Sequence, residues 1–333
     1  MNTSHTQQVV PLQQIADVIQ QHQRFLVTAH MAPDGDAIGS SIALLSILEA
    51  LGKDVILFND VPYPAQFHFL THADRVQTQL PDDAGIEVSI LCDCGDVARS
   101  PLHLLTKEQR GLFLVVDHHA TSALEGDLNF NDPDAPCVGI LIYQLGKLLG
   151  VDIDLPAAKA IYCSLVSDTG GFRYQKTSPK AFRLAAELLE IGVDPWEISS
   201  GLYESNPLER QRLLARTLDT IEIDPTGQLA YLTITEEMYE QTGADQDMTD
   251  GFINFARGVK GIEAAVLFRQ KGDDAWKLSM RSRGKIDVSQ VSSQFGGGGH
   301  HNAAGAVIEG TLEEAKAIVT KAMETYLASK KNA

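Results

Sequence analysis

The sequence predicts an α/β protein with two domains: a doubly wound, mainly parallel sheet, followed by a smaller α/β domain with a mixed sheet. Short apolar runs alternate with helical segments in the first part of the chain, and after Thr220 the pattern changes to paired strands. The length of 333 residues suits about two domains of ordinary size.

Four apolar runs in the first part have the pattern of buried parallel strands. They are apolar on both faces and bounded by turn residues, as expected for strands covered by helices on both sides. A segment between the first two runs ends at Gly52 and is predicted to be a helix, because glycine commonly terminates helices. The four runs are residues 24–29, 54–59, 87–92 and 112–116.

Helices are predicted from Pro136 onward, and a second set of strands follows them. Runs 264–269 and 276–283 resemble two antiparallel strands, and the last helix is expected at residues 312–326. We expect the first domain at residues 1–205, a linker at 206–226 and the second domain at 227–333. The linker range has no Pro/Gly-rich composition.

Composition and charge restrict the class of protein. No apolar stretch approaches the roughly 20 residues that a bilayer-spanning helix needs, and residues 1–11 have no apolar signal-peptide core, so the expected location is the cytoplasm. The four cysteines are expected to be reduced and buried. The net charge of −17 argues against a protein that binds long duplex DNA through many backbone phosphates, but it allows small anionic substrates.

Acidic and histidine side chains come directly after three of the predicted strands. Ligands of an open parallel sheet bind beyond the carboxyl ends of its strands, so these side chains should meet at one edge of the sheet. A fourth acidic position, Asp168, ends the helix that begins at Pro156. The side chains are His30, Asp34 and Asp36 after the first strand, Asp93 after the third, and Asp117, His118 and His119 after the fourth.

This set of side chains predicts bound metal. Imidazole combined with carboxylate suits Mn, Fe or Zn, whereas carboxylate alone would point more to Mg. The groups are too many for one ion and suit a pair about 3.5–4 Å apart, which can activate water and clamp an in-line phosphoryl displacement. Taken singly, Asp34-Gly35-Asp36 has an ordinary explanation as a turn and Asp93 as a helix cap.

The second domain carries a glycine run and an arginine pair. Gly296–Gly299 would allow close backbone approach and a concavity of N–H donors for an anion; the alternative is a flexible turn. Arg281 and Arg283 face the same side of their strand by alternation. Arg281 is the better candidate for binding a terminal phosphate bidentately, and Arg283 is equally compatible with a solvated surface position.

These motifs resemble, in order, those of the DHH phosphoesterase superfamily. The run 295–305 resembles the glycine-rich signature of the DHHA1 domain, and together the resemblance spans roughly residues 20–325. It is strongest to the nano-RNase (oligoribonuclease)/pAp phosphatase group. The first motifs are His30-x-x-x-Asp34-x-Asp36-x-x-Gly39-Ser40, Asp93, Asp117-His118-His119 and Ser167-Asp168-Thr169-Gly170.

The resemblance implies a role for each side chain. One ion would be held by His30, Asp34 and Asp93, and the other by Asp36, Asp93, His118 and Asp168. Asp117 would support His118, while His119 would face the scissile phosphate. The nucleophile would be a hydroxide between the ions. Mn²⁺ is the expected metal, with Mg²⁺ and Co²⁺ as alternatives.

The resemblance also implies a substrate class. The enzyme would hydrolyse very short oligonucleotides, dinucleotides such as pGpG or pApA, and pAp, in a cleft between the domains that limits substrate length. Relatives are often dimers, so a homodimer is one expected assembly. The substrate-binding residues would be Arg281, Ser282, Gly297, Gly298, Gly299 and His300.

Two other interpretations stay open from the sequence. One is a single-strand-specific exonuclease or another DHH-type phosphoesterase, although such exonucleases usually carry a further nucleic-acid-binding domain. The other is a nucleotide-binding regulator without catalysis. The complete set of expected metal ligands argues against the regulator, since a degenerate binder would be expected to lose some of them.

Overall fold

The structure, a computed structural model, describes residues 9–81, 84–272 and 274–331. The chain divides into two compact units, Met1–Ser205 and Asn206–Ala333. The range 206–226, which the sequence assigns to a linker, contains a helix and a short strand within the second unit.

The first unit is built on a five-stranded sheet whose paired strands are all parallel, which confirms the predicted fold class. The strand order is β2-β1-β3-β4-β5. The first strand in sequence therefore lies inside the sheet, with β2 on one side of it and β3, β4 and β5 following on the other side. The fifth strand was not predicted. The strands are β1 (Arg24–Thr28), β2 (Asp54–Leu57), β3 (Val88–Cys92), β4 (Leu112–Asp117) and β5 (Leu128–Asn131).

Seven α-helices of this unit are described. The helix α2 is buried along almost its whole length and packs closely against α5. This approach depends on Gly39, since a Cβ there would lie 2.4 Å from the carbonyl oxygen of Ala160. The helices are α1 (Leu12–Gln21), α2 (Gly35–Ala50), α3 (Lys107–Arg110), α4 (Val138–Leu148), α5 (Leu155–Asp168), α6 (Pro179–Ile191) and α7 (Pro195–Tyr203).

The two faces of the sheet are covered differently. The larger apolar core lies on the face where α1, α2, α4 and α5 pack, and residues such as Phe25 and Ile90 point into it. The other face has a smaller cluster around Leu26 and Leu91, to which short 3-10 turns contribute Leu102 and Val97.

The second unit contains a six-stranded mixed sheet, as predicted. Its order is β10-β11-β9-β8-β7-β6; β7 and β8 pair in parallel and the other pairs are antiparallel. The strands are β6 (Glu222–Ile223), β7 (Leu229–Ile234), β8 (Ala264–Gln270), β9 (Ala275–Ser282), β10 (Gly298–His300) and β11 (Ala303–Glu309). The helices are α8 (Leu208–Asp219), α9 (Glu236–Thr242), α10 (Ile253–Arg257), α11 (Val288–Ser293) and α12 (Leu312–Lys331).

Apolar cores lie on both faces of this second sheet. One contains Phe268, Met280 and Met323, with α12 packed against it; the other contains Leu232 and Phe252. Within the described part of the chain, no helix combines the length and the apolar character needed to cross a membrane.

Candidate metal centre

Three adjacent strands bring their chemical side chains to one edge of the first sheet. The strands β1, β3 and β4 are neighbours and parallel, so their carboxyl ends lie side by side. His30 follows β1, Asp93 directly follows β3, and Asp117 is the last residue of β4. The fourth position, Asp168, is the last residue of α5.

The first motif is held by the start of α2. Asp34 caps this helix, with Oδ1 accepting hydrogen bonds from the backbone N–H groups of Asp36 and Ala37 at 3.0 and 3.2 Å. Asp36 lies one residue inside the helix and is fully buried. Its carboxylate accepts from the N–H of Val138 at 2.8 Å and from Oγ of Ser164 at 2.6 Å, so the N-terminus of α4 stabilises its charge.

His118 lies in the middle of the cluster. Its Nε2 is 3.7 Å from Oδ2 of Asp36, 3.5 Å from Oδ1 of Asp93 and 3.3 Å from Oδ2 of Asp168. On the other side of the ring, Nδ1 lies 3.0 Å from the carbonyl oxygen of Ala135. A proton on Nδ1 would leave Nε2 as an electron-pair donor toward the carboxylates.

Asp93 occupies a strained position at the end of β3. Its φ of 57° lies in the left-handed region, where aspartate is among the few side chains tolerated. The residue is 3% exposed, and its Oδ1 has no hydrogen-bond partner among the described residues. Its Oδ2 lies 3.6 Å from Nε2 of His30. A buried, ionised carboxylate oxygen without a hydrogen-bond donor is unfavourable unless a cation compensates its charge.

The spacing of these atoms fits a divalent cation. The nitrogen–oxygen distances around His118 are too long for good hydrogen bonds. They are close to the separation of roughly 3.0–3.5 Å that two ligands of one ion adopt at metal–ligand distances of about 2.0–2.2 Å. Three groups have their ligand atoms within 4.8 Å of one another: His30, Asp34 and Asp93; Asp36, His118 and Asp168; and Asp93, His118 and His119.

Burial sets the protonation of the cluster. Burial raises the pKa of Asp36 to about 7, with the charge of Asp34 adding to the effect. Burial also raises the pKa of Asp93 and Asp168 well above the usual range, and the charge of Asp36 acts in the same direction. Burial lowers the pKa of His118 to about 4. The imidazole is therefore neutral, and bound cations would hold the carboxyls in their ionised form.

Asp117 contacts the second histidine ring of its motif, not the first. Its Oδ1 lies 2.7 Å from Nδ1 of His119 and also accepts the backbone N–H groups of His118 and His119. Asp117 thus contacts His118 through the backbone N–H, while Nδ1 of the His118 ring lies against the carbonyl of Ala135. Burial tends to raise the pKa of Asp117, but the bond to His119, the charge of His119 and the bonds from Ser122 and the N–H of His118 together outweigh burial, and the pKa lies below the usual value.

Two contributors were not found from the sequence. Ser164 bonds Asp36 and precedes Asp168 by four residues, so helical spacing placed it on the same face of α5. Lys176 lies in a polar loop that has no periodicity or motif from which a contact with the site could be predicted. Its Nζ is 3.2 Å from Nδ1 of His118.

In the second unit, Arg281 and Ser282 lie on opposite faces of β9. Arg281 is partly exposed and pairs with Ala303 of β11. Ser282 is 2% exposed, and its hydroxyl lies 3.0 Å from Oδ1 of Asn302. Arg283 comes just after the strand and donates from Nε to the carbonyl of Arg257.

The glycine run forms the edge of the second sheet. Gly297 precedes β10, and Gly298, Gly299 and His300 form this strand beside β11. A Cβ on Gly297 would lie 2.2 Å from the carbonyl oxygen of Gly305, and one on Gly299 would lie 2.4 Å from that of Ala303, whereas one on Gly298 would meet nothing within 4 Å. The side chain of His300 lies outside the described part of the structure.

Comparisons with known proteins agree with these observations. The sequence model described as "DHH family, N-terminal domain" matches residues 24–165, and the "DHHA1 domain" model matches residues 226–329. The bifunctional oligoribonuclease and PAP phosphatase NrnA of Thermus thermophilus is 32% identical over 90% of this chain and 89% of its own. The protein of the same name from Bacillus subtilis is 28% identical over 86% and 90%.

Solved structures show the same fold. An exopolyphosphatase-related protein from Bacteroides fragilis aligns with a TM-score of 0.89 at 24% identity, over 96% of this chain and 97% of its own. RecJ from Thermus thermophilus, solved in complex with Mn²⁺, aligns with a TM-score of 0.54 at 17% identity, over 98% of this chain and 56% of its own. By its sequence relatives and its two matched domains, the chain belongs to the DHH–DHHA1 family of phosphoesterases.

Proposed function

We propose that this protein is a divalent-metal-dependent phosphoesterase that hydrolyses very short oligonucleotides, including dinucleotides such as pApA and pGpG, and dephosphorylates pAp. The observation that carries the proposal is the buried cluster of carboxylates and imidazoles at the carboxyl edge of the parallel sheet. The names of the relatives, oligoribonuclease and PAP phosphatase, support this substrate class.

Two of the three ligand groups correspond to two ion positions. His30, Asp34 and Asp93 would hold one ion, and Asp36, His118 and Asp168 the other, with Asp93 near both. We propose Mn²⁺ because the donors combine imidazole with carboxylate, and Mg²⁺ and Co²⁺ are the alternatives. Bound ions would polarise the phosphoryl group and lower the pKa of water.

His119 is proposed to act on the phosphate itself. Asp117 accepts a hydrogen bond from Nδ1 of His119 at 2.7 Å, which orients the ring. The ring is partly exposed, with 24% of the side chain accessible, so a substrate can approach it. His119 would donate from Nε2 to a phosphate oxygen and deliver a proton to the leaving oxygen.

The second unit is proposed to bind the substrate. The guanidinium of Arg281 suits a terminal phosphate, because its planar donors can bond two oxygens at once. The open space at Gly298 would let an anion approach the backbone N–H groups of β10. Ser282 would act through Asn302, to which it is bonded, and His300 completes the proposed set.

We also propose a cytoplasmic location. Cys92, Cys94, Cys137 and Cys163 are all free and buried, which suits a reducing compartment.

The test is hydrolysis of a panel of substrates with Mn²⁺ and with a chelator. The panel contains pApA, pAp, a cyclic dinucleotide, a long single strand and pyrophosphate. Mn²⁺-dependent release of mononucleotides from pApA and of phosphate from pAp is the expected result. Activity confined to the long strand or to pyrophosphate would indicate another phosphoesterase activity, and binding of pApA without turnover would indicate a regulator.

A further inference from the structure

Lys176, which was not among the predicted site residues, contacts the cluster of candidate metal ligands. Lys176 lies in the loop between α5 and α6, and its Nζ is 3.2 Å from Nδ1 of His118. The opposite nitrogen of the same ring, Nε2, is the one that faces Asp36, Asp93 and Asp168. The imidazole ring of His118 therefore lies between the ammonium of Lys176 and the proposed ion positions.

The loop that carries Lys176 has a defined conformation. Beginning two residues after Asp168, the chain turns through three consecutive residues with positive φ, at 58°, 66° and 63°: Gly170, Gly171 and Phe172. The carbonyl of Thr169 accepts the N–H groups of Arg173 and Tyr174 at 2.8 and 2.9 Å. The ring of Phe172 stacks on that of Phe182 in α6, with centroids 5.1 Å apart. These contacts fix the point from which Lys176 extends.

The contact with His118 leaves the ammonium able to bind an anion. If Nε2 of His118 is a metal ligand, Nδ1 carries the proton and donates it to the carbonyl of Ala135. An ammonium group has three donors and no acceptor, so it makes no hydrogen bond to a protonated Nδ1. Its hydrogens then remain available for an oxygen anion that enters the cluster.

The charge of Lys176 also acts on the cluster. Its ammonium lies next to the ring of His118, whose Nε2 is 3.5 Å from Oδ1 of Asp93 and 3.3 Å from Oδ2 of Asp168. Asp34, Asp36, Asp93 and Asp168 together match the charge of two dications. Lys176 adds a further positive charge beside the ring of His118.

We propose that Lys176 binds a non-bridging oxygen of the phosphate under attack and favours phosphomonoester over phosphodiester substrates. This inference rests on the proposed function and adds a specificity determinant to it. A phosphomonoester carries between about 1.5 and 2 negative charges at pH 7, because its second pKa is about 6, whereas a diester carries one. An additional cation therefore stabilises the bound monoester more than the bound diester.

The experiment compares Lys176→Met with Lys176→Arg in the Mn²⁺-loaded full chain, using pAp and pApA. Lys176→Met should lower kcat/KM for pAp by about tenfold or more, and for pApA by less than about threefold, since a hydrogen bond between charged groups is stronger when the acceptor carries more charge. Lys176→Arg should restore most of the lost activity on pAp. Lys180→Met is the matched control, because it removes the same charge at the start of α6 and should leave the ratio of the two activities unchanged.

Two binding measurements make the test independent of turnover. Calorimetry of Mn²⁺ binding should give the Lys176→Met variant an affinity equal to or higher than that of wild type, because a nearby cation has been removed. Inorganic phosphate should bind the Mn²⁺-loaded variant about tenfold more weakly than wild type. Weaker Mn²⁺ binding, or unchanged phosphate binding, would overturn the inference.

The outcomes for Lys176 and for the proposed function can be separated. If wild type hydrolyses pAp and pApA but the ratio of activities is the same in Lys176→Met, the function stands and the role of Lys176 is wrong. If wild type hydrolyses neither, the proposed function fails, and phosphate binding alone decides whether Lys176 contacts an anion.

Discussion

The cluster of candidate metal ligands in the first unit is formed by side chains, whereas the glycine strand of the second unit presents its backbone. The cluster consists of ionisable side chains, and Asp36 and Asp93 are almost completely buried. The glycine run at β10 instead presents backbone, since Gly297, just before the strand, and Gly299 within it have no room for a Cβ, and Gly298 faces open space. The function proposed for the cluster therefore depends on charged side chains. The function proposed for the glycine strand depends on the absence of side chains at its glycines.

This difference predicts which substitutions matter in each region. In the cluster, a substitution that keeps the shape of a side chain but removes its charge should strongly reduce activity. At the glycines of the run, a single added methyl group should have effects that differ sharply between neighbouring positions. The predictions below run from the largest expected effect to the smallest.

Asp93→Asn should abolish nearly all activity. Asparagine also tolerates positive φ, so the backbone at φ 57° should be preserved while the charge near both ion positions is lost. We expect kcat to fall by roughly a thousandfold or more. Mn²⁺ binding measured by calorimetry should weaken, and the circular dichroism spectrum should remain unchanged. Normal turnover by this variant would contradict the position of Asp93 between the two ligand groups.

Gly299→Ala should destabilise the second unit, whereas Gly298→Ala should not. The added Cβ at Gly299 would lie 2.4 Å from the carbonyl oxygen of Ala303, and φ at this residue is 144°, so we expect a loss of about 2–3 kcal/mol in the free energy of unfolding. The Cβ at Gly298 meets nothing within 4 Å, so the change should be within about 0.5 kcal/mol. Urea unfolding measures both, and equal losses would show that space at this strand is not the reason for the glycines.

Arg281→Ala should act on substrate binding more than on turnover. Loss of a guanidinium–phosphate contact should raise KM for pApA about tenfold, with kcat changed by less than about threefold. Arg283→Ala is the matched control, because Arg283 follows the strand and bonds the carbonyl of Arg257. Steady-state kinetics of both variants test the assignment, and it is wrong if Arg283→Ala raises KM as much as Arg281→Ala.

The metal-free protein should lose stability as the pH rises from about 6.5 to 7.5, through the pKa of Asp36. The lowered pKa of His118 has the opposite effect on stability, mainly below pH 6.5. The pKa of Asp36 is raised to about 7, and those of Asp93 and Asp168 are raised as well. A raised carboxyl pKa contributes stability at low pH, and this is lost as the pH passes through the folded-state value. We expect a fall on the order of 1 kcal/mol between pH 6.5 and 7.5 with chelator.

Saturating Mn²⁺ should remove this fall, because the ions would hold the carboxylates in their charged form. Thermal unfolding at several pH values, with chelator and with Mn²⁺, makes the comparison. A metal-free protein whose stability rises through this pH range would show that the buried carboxyls do not control it.

The first sheet and its edge were largely predictable. The apolar runs of β1 to β4 are strong local signals, and the parallel arrangement brings their ends together. The strand β5 (Leu128–Asn131) was missed because it is short and largely polar in sequence. The helix α1 was also missed, although Leu12, Ile15, Ala16 and Ile19 are buried on one face at helical spacing.

The glycine run was recognised, but its structure was not. The sequence allowed either a turn or a concavity of donors, whereas the structure makes residues 298–300 a strand at the sheet edge. Tight packing against Gly305 and Ala303 explains two of the glycines. This packing results from the pairing of β10 with β11, which brings these residues together only in the folded chain.

By itself, the sequence determined which side chains follow the strands and that they meet at one edge, because strand ends are local features and parallel pairing aligns them. The tertiary structure decided how the rings are held. Asp117 bonds His119, Ala135 contacts His118 from the segment before α4, and Lys176 reaches His118 from the loop after α5. These contacts depend on how helices pack on the sheet, and this packing brings together residues that are distant in sequence.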